Sequence, residues 1–214
     1  MGLGAPVFAF REPITVREFI LNLPELPGKS AFLFCTLAGT IGNYFFRVAN
    51  NLKKKGVSVF AKEAFYFPSS YTIWRNNVKD TSGEPDLIQK DEINRAITFG
   101  KSLVSEFTTI SQHTKPLPKI RRNIVGMIGG AFSSDWALRW LLGTVERDKT
   151  LCTECGACVD NCPTNAIQLG SEPIIKKELC TGCCGCINVC PVQALNSKKT
   201  KEKQQYRFDP KLIS

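Results

Sequence analysis

Eight of the ten cysteines lie between positions 152 and 190, and they follow one spacing twice. Each copy reads Cys-x2-Cys-x2-Cys-x3-Cys-Pro. The first copy holds Cys152, Cys155, Cys158 and Cys162, and the second holds Cys180, Cys183, Cys186 and Cys190. Cysteines three residues apart can wrap a loop around one face of a cubane, and Gly156 and Gly185 let the backbone approach its sulfides. The spacing therefore predicts two 4Fe–4S clusters.

The fourth cysteine of each copy precedes a proline and points away from its own loop, toward the other cluster. We therefore assign one cluster to Cys152, Cys155, Cys158 and Cys190. The other cluster takes Cys180, Cys183, Cys186 and Cys162. Crossed ligation explains why the pattern occurs twice, since neither cluster is complete without the other copy. The constant offset of 28 residues between the copies also predicts a pseudo-two-fold relation.

Two other interpretations of these cysteines are a zinc site and disulfide bonds. A tetrahedral zinc site typically takes two Cys-x2–4-Cys pairs rather than a run of four that ends in Cys-Pro. Disulfides require an oxidising compartment, and the start of the chain shows no export signal.

Outside the pattern, Cys184 is expected to be a spare thiol beside the cluster, or in the alternative a tuning or exchange ligand. Cys35 ends an apolar run and is expected to be a buried small hydrophobe.

The 214 residues are 43% hydrophobic and 22% charged, which indicates a folded chain of one or two domains. The formal charge of +9 arises outside the cysteine-rich part, because residues 151–197 carry four acidic residues against two lysines. Two clusters of charge about −2 each would make that part more acidic. The lysines are scattered and no nucleic-acid-binding module is evident, so the basic surface need not imply nucleic acid. It can hold the chain's own acidic module or steer a negatively charged partner.

No membrane-spanning segment is predicted, and we expect a cytoplasmic protein. The longest charge-free stretch near the tryptophans, residues 123–134, is too short for a span of about 20 residues. Residues 119–146 are expected to form one or two helices that pack between domains. A membrane-surface helix is the alternative for this segment, although Asp135 and Arg139 interrupt its apolar face.

Before that segment, short apolar runs alternate with helical patterns. Strands are predicted at Pro6–Phe10, Ala31–Cys35 and Val57–Ala61, and helices at Ile14–Leu23, Asn43–Lys55 and Glu84–Thr109. This alternation is typical of parallel strands joined by right-handed crossovers. The last helix carries an apolar stripe of Ile93, Ile97, Val104 and Phe107. The expected fold class is α/β plus α+β: a three-stranded parallel sheet with helices, a helical connector and a small cysteine-rich module.

Two resemblances accompany these patterns. Residues 150–195 resemble a bacterial ferredoxin with two clusters. Residues 1–112 resemble the C-terminal part of a flavodoxin-like domain, through the stretches GAPVFAFREP, FLFCTLAGTIGN before a helix ending in KKKG, FPSSYTIW, and a long final helix. The whole chain resembles a family of anaerobe proteins that fuse a flavodoxin-like domain to such a ferredoxin.

The flavodoxin resemblance implies FMN at the carboxyl ends of the strands. The implied contacts are Phe10, Arg11, Thr36, Leu37, Ala38, Gly39 and Tyr71, with Tyr71 stacking on or covering the flavin. The Ser/Thr/Gly-rich phosphate loop of flavodoxins is absent, since the chain begins at what would be their third strand. Either the start is late or this half-domain has lost FMN. A sheet edge exposed in this way is expected to be covered by a partner or by a second copy.

The expected organisation is a partial flavodoxin-like domain at 1–112, a linker and helical connector at 113–147, a two-cluster ferredoxin domain at 148–197 and a basic tail at 198–214, mobile at its start. The expected function is electron transfer between redox proteins. Two alternatives stay open: a flavin-dependent reductase that uses the clusters as its electron inlet, and a non-catalytic iron–sulfur sensor or interaction protein. No catalytic residue is evident, because the only histidine, His113, falls in the linker.

Overall fold

The computed structural model describes residues 1–75, 90–111, 118–124, 137, 140, 141, 143–168 and 174–206. These residues fall into two compact units. The first unit contains residues 1–68, 90–111 and 118–124, and the second contains residues 69–75 and the described residues from 137 onward. The aromatic segment that follows residue 68 therefore packs within the second unit, although the first predicted domain includes it. His113 and most of the expected linker and connector lie outside the described residues.

A three-stranded parallel sheet forms the centre of the first unit, as predicted. Its strands are β1 (Gly2–Pro6), β2 (Lys29–Leu37) and β3 (Val57–Tyr66), paired in the order β1-β2-β3. The helices are α1 (Ile14–Asn22), α2 (Tyr44–Lys54) and α3 (Lys90–Ser111). Strand β3 runs five residues beyond its predicted end. Among the described residues β1 is an edge strand, and its cover by a partner or a second copy stays a prediction.

The main core of the first unit lies between the sheet and helices α1 and α2. Leu33 and Cys35 of β2, Tyr44 and Val48 of α2 and Ile20 of α1 are completely buried there. The prediction that Cys35 is a buried hydrophobe is confirmed. Burial, and then the nearby Glu63 carboxylate, raise the pKa of this thiol to about 12, so it stays neutral and unreactive.

The first strand lies four residues earlier than predicted. It covers Gly2–Pro6 and ends because Ala9 and Phe10 adopt left-handed backbone angles of +44° and +69°, which no strand accommodates. Gly2 and Gly4 belong to the strand because the rings of Phe32 and Phe34 lie directly over them and leave no room for a β-carbon. Packing therefore requires glycine at both positions, although two glycines weaken the strand pattern in the sequence.

Helix α3 buries only part of the apolar stripe in its sequence, since Phe107 packs on the ring of Phe60 and Ile93 is half-buried. Ile97 and Val104 are 50% and 74% exposed, whereas Phe99 packs its ring against Phe32 and Phe65 of the sheet. Polar contacts decide this rotation of the helix. Glu92 is buried and accepts a hydrogen bond from the backbone N–H of Tyr66, and its carboxylate also pairs with Arg95.

The second unit has a small core of its own. Val145, Ile187, Ala194 and Leu195 are buried together, with Tyr71 and Ile73 packed against them. The start of the basic tail is packed rather than mobile. Thr200 is fully buried and its hydroxyl accepts a hydrogen bond from the backbone N–H of Ser197 at 2.8 Å. In the described part of the chain, no helix has both the length and the apolar character needed to cross a bilayer.

Candidate iron–sulfur site

The two cysteine repeats fold into equivalent pieces. The first consists of β4 (Glu146–Arg147), α4 (Ala157–Asp160) and β5 (Ile167–Gln168). The second consists of β6 (Ile174–Ile175), α5 (Gly185–Val189) and β7 (Leu195–Asn196). Strand β4 pairs with β7 and β5 pairs with β6, both antiparallel. Each small sheet therefore takes one strand from each repeat, so that neither repeat is complete alone.

The backbone repeats the same pattern at the offset of 28 residues. Left-handed angles occur at Glu154 and Gly182, at Gly156 and Cys184, and at Asn165 and Gln193. Gly156 and Cys184 each precede the short helix of their repeat, with φ of +78° and +61°. Cys184 thus takes the backbone position of a glycine, and strain at this site is expected because a left-handed angle disfavours any residue with a β-carbon.

One cavity in this unit is bordered by Cys152, Cys155 and Cys158 from the first repeat and by Cys190 from the second. It holds about 400 Å³ of space, counting the open region at its mouth. Its other walls are mostly apolar, including Val192 and Leu195. Arg147, whose side chain is only 9% exposed, also borders it and pairs with Glu154 at 3.4 Å.

A second cavity has the reverse composition. Cys180, Cys183 and Cys186 come from the second repeat and Cys162 comes from the first, around about 410 Å³ of space measured in the same way. Ile175 borders this cavity at the position equivalent to Arg147. Cys184 also borders it and is 1% exposed. The structure therefore brings the eight predicted ligands together in two groups of four, each with three members from one repeat and one from the other.

The fourth cysteine of each repeat receives the same backbone hydrogen bond. The N–H of Ala166 donates to Cys162 Sγ and the N–H of Ala194 donates to Cys190 Sγ, both at 3.2 Å. Burial opposes ionisation of Cys162, but the N–H groups of Thr164 and Ala166 outweigh it and lower the pKa of this thiol. Such N–H donors stabilise a thiolate, which is the form that binds iron.

Two other cysteines, Cys186 and Cys158, have raised pKa values. Burial raises the pKa of Cys186, and the nearby thiols of Cys183 and Cys180 raise it further. The pKa of Cys158 is raised by burial and by its neighbours in the first cavity. Four thiolates close together repel one another, and a cationic centre between them offsets that repulsion. Thiolate donors in an apolar pocket suit the soft iron of an iron–sulfur cluster.

A single zinc ion and a cubane require different separations of their sulfur ligands. Among the residues that the structure describes, no three His, Cys, Asp or Glu side chains converge on a one-ion site. A tetrahedral zinc ion with bonds of about 2.3 Å to sulfur would need its ligands roughly 3.8 Å apart. A cubane separates its four thiolates farther, because each binds a different iron atom at a corner. The cysteine spacing, a run of four that ends in Cys-Pro, is what favours a cluster over zinc.

The six FMN contacts that the flavodoxin resemblance implies in the first unit all lie at the carboxyl ends of β1 and β2. The list is Phe10, Arg11, Thr36, Leu37, Ala38 and Gly39. The loops after the two strands are joined there, since the N–H of Val7 donates to the Thr36 carbonyl at 2.8 Å. The seventh residue, Tyr71, belongs to the second unit, where it packs against the core that contains Cys184. FMN binding stays a prediction.

Sequence reasoning missed three contributors to this unit. Arg147 borders the first cavity, although a lone arginine before a cysteine loop carries no signal of its own. Gln205 donates a hydrogen bond to the carbonyl of Cys190, and Asn188 contacts the segment around residue 70. Arg147 can be recognised from the sequence only by aligning the repeats, because the second repeat has Ile175 at the same position.

Comparison with known proteins supports the iron–sulfur assignment. Residues 145–168 match a family model described as the 4Fe–4S binding domain. Among curated proteins and solved structures, none matches the chain significantly. The matched segment contains β4, α4 and β5 together with the four cysteines of the first repeat. The chain thus carries a ferredoxin-type 4Fe–4S binding domain at residues 145–168, and this domain supports an iron–sulfur electron-transfer role.

Proposed function

We propose that the chain is an electron-transfer protein with two 4Fe–4S clusters held by crossed ligands. One cluster is bound by Cys152, Cys155, Cys158 and Cys190, and the other by Cys180, Cys183, Cys186 and Cys162. A single observation carries the proposal: two cavities in the second unit each combine three cysteines of one repeat with the fourth cysteine of the other. A lone cluster in the first repeat would leave the second group of four cysteines unexplained.

When bound, each cluster can take up or release one electron at a time. The protein's part is to hold the thiolates and to set the charge around them. The N–H groups of Ala166 and Ala194 stabilise the thiolates of the two exchanged cysteines. The apolar walls exclude water, which limits solvent stabilisation of added charge and favours low reduction potentials. Redox proteins are the proposed donors and acceptors.

The proposal also includes the coupling of the clusters to a bound FMN. Six residues at the carboxyl ends of parallel strands support it, since ligands in open α/β sheets bind at such edges. A titration of FMN with the chain, followed by flavin fluorescence, tests this part separately from the clusters. Quenching with one FMN per chain would support it, and unchanged fluorescence would remove it.

The first experiment is an assay of iron and acid-labile sulfide on protein purified without oxygen. About eight iron and eight sulfide atoms per chain are expected for two cubanes. About four of each would leave a single-cluster protein and overturn the two-cluster proposal. The assay does not depend on the identity of any redox partner.

Substitution of two neighbouring cysteines, Cys183 and Cys184, tests the ligand assignment. Cys183→Ser removes a proposed ligand, so the iron content should fall from about eight to about four atoms per chain. Cys184→Gly changes the adjacent cysteine to the residue that the first repeat has at this position, and it should keep about eight. Equal iron loss in both variants would contradict the assignment.

A further inference from the structure

A short segment that is distant in sequence lies against the second repeat. Residues 69–75, named here the strap, contain a 3₁₀ turn at Thr72–Trp74. Thr72 is fully buried, and its hydroxyl donates to Asn188 Oδ1 at 2.9 Å. The side-chain amide of Asn188 donates back to the carbonyl of Ser70 at 2.7 Å. One asparagine of α5 therefore binds the strap on both sides of Tyr71.

The end of the strap is held by the start of the basic tail. The Arg75 guanidinium donates to the carbonyl of Gln204 at 3.1 Å and lies 5.4 Å from the centre of the Tyr206 ring. The backbone N–H of Tyr206 in turn donates to Asn188 Oδ1 at 3.0 Å. Strap, tail and α5 thus form one hydrogen-bonded network, which fixes the strap and the side chains it carries.

Tyr71 sits inside this network with an unsatisfied hydroxyl. Its ring packs edge-on against Trp74 and against the core of the unit. Its oxygen is buried and, among the described residues, has no hydrogen-bond partner. A buried hydroxyl without a partner loses its hydrogen bonds to water and gains none in return, so such a group calls for an explanation.

The ring of Tyr71 packs against the core that contains Cys184, and Cys186 packs against the same core. After burial, the thiols of Cys184, Cys183 and Cys180 are the groups that raise the pKa of Tyr71. All three border the second cavity, and Cys180 and Cys183 are proposed ligands there. A phenol O–H is a hydrogen-bond donor, so the hydroxyl can serve as a donor toward the sulfurs of this cavity.

We propose that the Tyr71 hydroxyl donates a hydrogen bond to a sulfur atom of the cluster in the second cavity and thereby raises that cluster's reduction potential. The inference rests on the two-cluster function proposed above. The acceptor is a sulfide or the thiolate of Cys183. Reduction adds one electron and one negative charge to the cluster, and no proton moves. A donor to sulfur stabilises the reduced form more than the oxidised form, because the sulfurs are then more negative.

The strap also breaks the symmetry of the two repeats. It comes from outside both of them and packs against the second, so the donor acts on one cluster only. Tyr71 is in this respect a positioning and tuning residue rather than a ligand. The Asn188 hydrogen bonds to Thr72 and Ser70 place its ring, since these two residues flank it directly.

The test is the Tyr71→Phe variant of the full chain, loaded with iron and sulfide. Both midpoint potentials are measured by reductive titration with dithionite, followed by electron paramagnetic resonance. Assignment uses the Cys155→Ser background, where loss of a ligand removes the first cluster and the remaining signal belongs to the second. We expect the second cluster to become harder to reduce by about tenfold, or about 59 mV for one electron, and the first to stay unchanged. Trp74→Phe, which alters packing on Tyr71 but keeps its hydroxyl, should leave both potentials unchanged.

Each outcome has a defined meaning. Wild-type protein that binds only one cluster overturns the two-cluster function, and the inference with it. Full loading with unchanged potentials in Tyr71→Phe overturns the inference alone. If that variant fails to load, 3-fluorotyrosine at position 71 keeps the shape and gives a stronger donor. It should raise the potential of the second cluster, and an unchanged value would also overturn the inference.

Discussion

Two charged residues at the first cavity have uncharged counterparts in the second repeat. Arg147 and Glu154 form a pair at the first cavity, and the equivalent positions in the second repeat are Ile175 and Gly182. Arg147 is almost buried, whereas Glu154 is 63% exposed. The arginine charge therefore acts at short range in an apolar setting, while the glutamate charge is screened by water. This pair is the clearest electrostatic difference between the repeats.

Replacement of Arg147 by the residue of the other repeat should lower the potential of the first cluster. Arg147→Ile removes a buried positive charge beside a site that becomes more negative on reduction, so the reduced form loses stabilisation. The measurement is the same reductive titration. Glu154→Gln, which alters the exposed partner, should change the potential much less. A first-cluster potential that is unaltered in Arg147→Ile would contradict the prediction.

At the scale of elements, hydrogen bonds between distant segments hold each unit together. The loop between β1 and α1 is tied to α2 by Glu12, which is buried and accepts two hydrogen bonds from Arg47 at 2.8 and 3.1 Å. The strap is tied to α5 by Asn188 in the same way. Such contacts leave no periodic pattern in the sequence, yet they decide where loops and helix faces lie.

Loss of the Arg47 charge should destabilise the first unit. Arg47→Met would leave the Glu12 carboxylate buried without its partner, at a cost of about 2 kcal/mol, reduced from a fully buried pair because Arg47 is partly exposed. Urea denaturation followed by circular dichroism measures the change. The exposed Arg121→Met is the control. Adding Glu12→Gln to Arg47→Met should restore part of the stability, and no recovery would argue against the ion pair as the cause.

Loss of the Thr72 hydroxyl should loosen the strap. Thr72→Val keeps the side-chain shape but removes the donor to Asn188 Oδ1, which costs about 1 kcal/mol for a buried hydrogen bond. Faster hydrogen exchange is expected at the strap amides, with the exchange of β2 unchanged. The potential of the second cluster should also fall, as in Tyr71→Phe, because the ring is placed less firmly. Exchange rates equal to those of the wild type would contradict this account.

At the scale of the whole molecule, the two units differ in what stabilises them. The first unit has strands of five to ten residues and a continuous apolar core. The described helices and strands of the second unit are short: the strands have two residues each, and α4 and α5 have four and five. So little secondary structure cannot supply much folding energy without metal.

Iron removal should therefore unfold the second unit and spare the first. After treatment with a chelator under reducing conditions, hydrogen exchange should become fast throughout residues 145–206. Protection of β2 should persist, since its partners are apolar side chains and neighbouring strands. Retained protection in the second unit of iron-free protein would show that its small core is sufficient for folding.

Much of the architecture followed from the sequence. The three parallel strands and helices α1 and α2 were predicted from local apolar periodicity, and the cysteine spacing predicted a ferredoxin-type 4Fe–4S site that the comparison supports at residues 145–168. The position of the first strand, Gly2–Pro6, was predicted wrongly, and the apolar stripe of α3 is buried only in part. In both cases a distant partner decided the outcome: the rings of Phe32 and Phe34 for the strand, and the Tyr66 backbone for the helix.

The sequence by itself determined which residues carry the chemistry, because cluster ligands in a loop are a matter of local spacing. Only the tertiary structure decided what surrounds them. Arg147 borders one cavity, and Tyr71 packs against the core that contains Cys184, because strand exchange and the strap bring together segments that are far apart in the chain. Hydrogen bonding and burial depend on such through-space neighbours, and one-dimensional periodicity does not encode them.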